Sequence, residues 1–180
     1  NDGIGYRGME VVRRTTAGAE VLTFSTNGIA PSLQLGDAAA VSSTEAGKLT
    51  FAIGTEAEQI TIPAGVSAGI IAERINAALA DTGIRADAAT RLALTQVPDG
   101  LVAFTLMARN ETPIAISANV AGGSLEELQN AINARSQDTG VVATLGSALD
   151  RIVLVSESGD DLVLGEITSG GGSFTATPIT

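Results

Sequence analysis

The chain has 180 residues, no cysteine, histidine or tryptophan, and a formal net charge of -10. Without those side chains there can be no disulfide, no thiol chemistry, no zinc site of the usual kind and no histidine-based acid–base catalysis. An acidic balance in which Lys48 is the sole lysine among scattered arginines argues against nucleic acid, and no run of about 18 apolar residues is present to span a membrane.

Ala, Ile, Leu and Val supply most of the apolar content, against four Phe and one Tyr. Gly, Ser and Thr fill much of the remainder, a composition suited to short strands joined by tight turns around one respectable core or two small ones. The sequence starts at Asn1 with no apolar signal segment and stops shortly after Ser169-Gly-Gly-Gly-Ser173, so it reads as an excised or processed middle piece of a longer protein. Lack of cysteine also suits an exported protein that travels unfolded.

The first 47 residues offer three strand-like stretches among glycine-rich turns: Glu10–Val12, Val21–Phe24 and Ser32–Leu35. They are expected to complete a sheet. Lys48–Ile53 and Gln59–Ile62 alternate apolar and polar residues with the period of a half-buried strand, and Gly54–Glu58 between them suits a hairpin turn. Pro63-Ala-Gly65 breaks the pattern. Ser67 then stands as an N-cap before a helix whose Ile71, Ile75 and Leu79 form one apolar stripe. Asp81-Thr-Gly83 ends that helix, with Gly83 free to adopt the left-handed conformation.

A short strand, Ile84–Ala88, and a stronger one, Leu101–Met107, follow around the turn signature Pro98-Asp-Gly100. The order strand, helix, strand, strand then recurs. Ser124-x-x-Glu127 is a capping box for a second helix carrying Leu128, Ile132 and a polar Ser136. Val141–Leu145 and Arg151–Ser156 are the matching strands, while Ile114–Ile116 and Leu162–Leu164 link one unit to the next.

The recurrence is literal. Residues 67–86 align without a gap on residues 124–143, 57 positions later, with eight identities: Ser67/Ser124, Ile75/Ile132, Asn76/Asn133, Ala77/Ala134, Asp81/Asp138, Thr82/Thr139, Gly83/Gly140 and Ala86/Ala143. Caps, a buried helix face and a turn are repeated; reactive groups are not. A structural module is implied. The sequence pattern therefore predicts an α+β fold of two tandem β-β-α-β-β repeats, each a helix on a small antiparallel sheet, with an N-terminal β-rich segment. Residues 1–47 form that segment, 48–109 the first repeat, 110–168 the second, and 169–180 a Gly/Ser-rich linker.

Asn76 and Asn133 lie mid-helix beside the apolar stripe, where asparagine is a mediocre helix former, so their amides are expected to bond the backbone of a neighbouring loop or strand, with a ligand contact as the alternative. Gly159-Asp160-Asp161 lacks the spacing of a calcium loop and reads as a solvated turn. Asn110-Glu-Thr112 forms a glycosylation triplet by chance, since Pro113 follows it. No nucleophile elbow, phosphate loop or dinucleotide fingerprint occurs, so no catalytic, cofactor-binding or metal residues are assigned.

Ile60-Thr-Ile62, Ile75-Asn-Ala77 and Asp81-Thr-Gly-Ile84 in one copy, and Ile132-Asn-Ala134 and Asp138-Thr-Gly-Val141 in the other, resemble the hook IN motif of flagellins and flagellar hook-associated proteins. The resemblance covers roughly residues 48 to 168. It implies a surface-exposed outer domain of an extracellular flagellar protein exported without a cleaved signal peptide. Such a domain contacts other axial subunits through parts outside this segment, is itself monomeric, carries O-linked glycans, and binds neither nucleic acid nor membrane. The family's long terminal heptad helices are missing from the segment. The alternatives are an adhesin or cap-like surface-binding module built from the same repeats, or a carbohydrate-active enzyme with a carboxylate-lined cleft.

Overall fold

A computed structural model describes residues 8–15, 18–25, 46–53, 56–110, 112–170, 172 and 174–179. The strands are β1 (Gly8–Thr15), β2 (Gly18–Ser25), β3 (Gly47–Ile53), β4 (Glu56–Ile62), β5 (Ile84–Thr95), β6 (Gly100–Met107), β7 (Ile114–Val120), β8 (Val141–Leu145), β9 (Arg151–Ser156), β10 (Val163–Ser169) and β11 (Thr175–Pro178). Helices α1 (Ala68–Ala78), α2 (Glu126–Asn133) and the single turn α3 (Ser136–Thr139) complete the α+β architecture, with a 3-10 turn at Ala80–Thr82. Ser32–Leu35 and the hairpin residues Gly54 and Thr55 lie outside the described residues.

Among the described residues three antiparallel sheets arise: β2-β1-β5-β9-β8 with β11 also on β5, then β10-β6-β7, and the hairpin β3-β4. The long strand β5 organises the first of these. Residues 84–89 pair with β1, whereas residues 90–95 pair with β9. The Ile84–Ala88 strand of the sequence reading thus runs on without a turn through Ala89 to Thr95. In the second copy the turn between β8 and β9 folds the chain back, and β9 pairs with β8. In the first copy β1 supplies the neighbour that no such hairpin provides.

Two further expectations are revised. Leu101–Met107 does not close the first repeat on its own sheet; as β6 it pairs with β7 and β10, opening the second unit as β3 opens the first. Part of the 169–180 linker is structured. Phe174 is buried, meets Phe104 edge-on at 6.2 Å between ring centroids, and leads into β11, which pairs with residues 92–95 of β5.

The first and last strands share one edge of β5. The Ile179 amide donates to the Arg91 carbonyl, so odd-numbered residues of β5 direct their backbone groups toward β11. Ala86, an even position, gives its groups to a helix side chain, which leaves β1 on the odd edge too. Gly8 stands opposite Ala89 and Pro178 opposite Leu92. Three residues of strand, about 10 Å at ~3.4 Å each, separate the two.

The apolar residues settle into two cores. Ile60 and Ile62 of β4, Ile71, Ala72, Ile75 and Leu79 of the first helical region, and Ala86 of β5 form the smaller. The larger unites Leu94, β6, β7, α2, β8, β9, Leu162, Leu164, Phe174 and Ala176. Ile75 and Ile132 are completely buried, one at the centre of each helix face. Ile75→Ala and Ile132→Ala should each cost about 2–5 kcal/mol in chemical denaturation. Ser136→Ala, at the half-buried end of the second stripe, should change stability by no more than about 0.5 kcal/mol.

Candidate functional site

The repeated residues converge on one arrangement, built twice. Successive helical residues turn by about 100° around the axis. A fully buried isoleucine (Ile75 or Ile132) therefore leaves the next residue facing sideways, along the sheet. That residue is Asn76 in α1 and Asn133 in α2. Asn76 Nδ2 donates to the Ala86 carbonyl at 2.8 Å, and the Ala86 amide donates to Asn76 Oδ1 at 2.7 Å. In the second copy Asn133 Nδ2 reaches the Ala143 carbonyl at 3.0 Å, and the Ala143 amide reaches Asn133 Oδ1 at 2.7 Å. Each carboxamide reproduces the donor–acceptor pair that a neighbouring strand would offer.

The need for this clasp lies in burial. Ala86 and Ala143 are each 1% exposed, so their backbone groups have no access to bulk water. β8 is the last strand of its sheet, and no further strand lies beyond Ala143 among the described residues. Gln129 Nε2 adds a bond to the Ala143 carbonyl at 3.2 Å, a contact the sequence reading missed; Ala72 occupies the equivalent slot of α1.

The Asp-Thr-Gly turn sets the distance between helix and strand. Gly83 and Gly140 adopt φ of 75° and 73°, the left-handed region that reverses the chain at little steric cost. Thr82 Oγ1 donates to the Leu79 carbonyl at 2.7 Å and accepts from the Ile84 amide at 3.2 Å. Thr139 Oγ1 donates to the Arg135 carbonyl at 3.0 Å and accepts from the Val141 amide at 3.1 Å. One hydroxyl thus joins helix end to strand start. At Gly140 a side chain would also press on Arg109, whose Nε would lie 2.7 Å from a Cβ there. Asp81 and Asp138 are exposed, and nothing in the structure explains their identity.

The two helix starts differ. The Ser67 hydroxyl accepts from the Ile70 amide at 3.4 Å, as an N-cap does. Ser124 does not cap, and the predicted capping box with Glu127 is absent. Its amide instead donates to the Ala121 carbonyl at 3.1 Å, closing a turn whose two central glycines, Gly122 and Gly123, have φ of 60° and 74°. Paired positive φ values match a tight hairpin turn. Buried Leu125 takes the cap position without a side-chain bond, and Glu126 and Glu127 place negative charge at the positive end of the helix.

The remaining marked residues are structural in their contacts. Asn110 Nδ2 donates to the Leu106 and Thr112 carbonyls, and its Oδ1 accepts from the Ala108 amide, so the amide nitrogen of the glycosylation triplet is committed to a turn. Asp160 accepts hydroxyl bonds from Ser156 and Ser158. Among the described residues no group of three or more acidic side chains is arranged to hold a metal ion, and no helix is long and apolar enough to cross a membrane.

Removing the Asn76 carboxamide should strand a buried amide and carbonyl, and removing that of Asn133 should strand the Ala143 amide while Gln129 still serves the carbonyl. Asn76→Ala and Asn133→Ala are each expected to lose about 1–3 kcal/mol in denaturant titrations. Asn133→Asp, nearly isosteric, should also be destabilised, because one carboxylate oxygen then opposes the Ala143 carbonyl. Wild-type stability in all three variants would contradict the clasp.

Comparison with known proteins places this geometry in a family. The family model described as the flagellin hook IN motif matches twice, over residues 48–96 and 108–158. Each span contains its main helix, α1 or α2, with the Ile-Asn pair, the Thr-Gly turn and the clasped alanine. A search of curated proteins finds no match. The matched family is structural and non-enzymatic, assembling with other flagellin subunits into the extracellular flagellar filament. With both copies of the motif in place over more than half its length, the chain belongs to the flagellin hook IN motif family and has a flagellin-type structural role.

Proposed function

We propose that these residues form an outer, surface-exposed domain of a flagellin or hook-associated protein, inserted between the segments that polymerise. The observation that carries this reading is the meeting of β1 and β11, end to end on one edge of β5, about 10 Å apart. A domain entered and left at one place can be carried as an insertion without disturbing its host. The helices support the same reading. Both are short, and both spend their apolar faces on their own sheets, leaving no exposed heptad seam for a coiled core among the described residues.

On this proposal the domain tunes filament surface and stability for motility, and subunit contacts are made by other parts of the parent chain. A net charge of -10 keeps neighbouring copies apart at low salt and the surface hydrated. Exposed serines and threonines are available for O-linked glycans.

Two measurements test the proposal. The segment alone, at micromolar concentration, should scatter light as a monomer of 18.1 kDa; ordered self-assembly would contradict it. In filaments of the full-length parent, a cysteine introduced at exposed Asp81 should react with a bulky maleimide as fast as in the free subunit. These 180 residues hold no other cysteine to compete for the label, and strong protection in the filament would place the domain inside the lattice.

A further inference from the structure

The two repeats are joined by more than the continuous strand β5. The Gly69 amide, in the first turn of α1, donates to the Gly159 carbonyl at 2.9 Å. First-turn amides have no partner within their own helix. Ser67 serves the neighbouring Ile70 amide, so α1 is capped partly by itself and partly by the turn that follows β9 in the second repeat.

That turn is shaped for the contact. Gly159 has φ of 72°, and its amide donates to the Ser156 carbonyl at 3.2 Å. The fully buried Ser156 accepts at its hydroxyl from the Asp160 amide at 3.3 Å. The Asp160 carboxylate in turn accepts from the Ser158 hydroxyl at 2.6 Å and the Ser156 hydroxyl at 3.2 Å. No side chain fits between the partners. A Cβ on Gly69 would overlap the Ser158 carbonyl oxygen, and one on Gly159 would lie 2.6 Å from Ala88 Cβ and 2.7 Å from the Gly69 nitrogen.

Among the described residues the two cores are unequal: seven buried residues form the first and eighteen the second. Local opening follows the least buried apolar surface, which makes the smaller core the one expected to open first. We infer that the turn Ser156–Asp160 is a latch by which the second repeat holds the first closed. When it is released, α1 and the β3-β4 hairpin open as a local unit while the larger core stays folded.

Gly69→Ala tests the latch with opposing expectations. Alanine is the better helix former, so propensity alone predicts slower amide exchange in α1. The latch predicts that amides of residues 71–78 exchange faster by about tenfold or more, whereas those of Val102–Leu106 and Ile152–Leu154 keep wild-type rates. Asp160→Ala, which loosens the turn without touching the helix, should give the same local pattern. Unchanged or slower exchange in α1, or equal acceleration in both cores, would overturn the inference.

Discussion

A helix that covers a strand must answer for the backbone groups it hides, and in this protein an asparagine answers. The constraint is geometric. Packing Ile75 or Ile132 into a core brings α1 or α2 over Ala86 or Ala143, and the hidden amide and carbonyl lose water. A buried unpaired polar group is expensive, so the neighbouring side chain must carry both a donor and an acceptor. Within the reach of one helical turn only a carboxamide offers the two in one plane. The Ile-Asn pair is thus a single device: one residue supplies apolar burial, the next repairs what that burial would leave unsatisfied. At the outer edge of β8 the same amide occupies the position a foreign strand would take, which blunts edge-to-edge pairing.

Around this device the two copies diverge. The second folds β8 back on β9, has the α-helical turn α3 where the first has a 3-10 turn, and gathers the larger core. The first runs straight on through β5, takes β1 as its neighbour and caps its helix partly with a turn from the second. Tandem repeats usually meet through similar faces; here they share a strand, so each copy's sheet is finished by residues outside it. The same sharing brings β1 and β11 together, linking the fold to its proposed place within a longer subunit.

Much of this was legible in the sequence because it is local. The Ser67 cap, the apolar stripes and the positive φ of Gly83 and Gly140 follow from residues within one or two turns of each other. The target of the clasp was also encoded, since Asn76/Ala86 and Asn133/Ala143 are identical pairs at the same spacing, although nothing local to either alanine marks it as the partner. The course of β5 was not legible: its alanine-rich middle carries little alternation, and its partners come from distant segments. Ser124 misled because its Ser-x-x-Glu spacing fits a capping box, while the Gly122-Gly123 turn and the burial of Leu125 shift the helix start by one residue. Phe174 hid behind glycines.

The most direct test of the account is whether the clasp bonds exist in solution. Hydrogen-bond scalar couplings can be measured by NMR between the Ala86 amide nitrogen and the Asn76 side-chain carbonyl carbon, and between the Ala143 nitrogen and that of Asn133. The account predicts a resolvable coupling in both copies, with both asparagine side-chain amides protected from exchange. Absence of the two couplings in a folded protein, with Ala86 and Ala143 still protected, would show that something other than the asparagine satisfies those strands and would contradict the account.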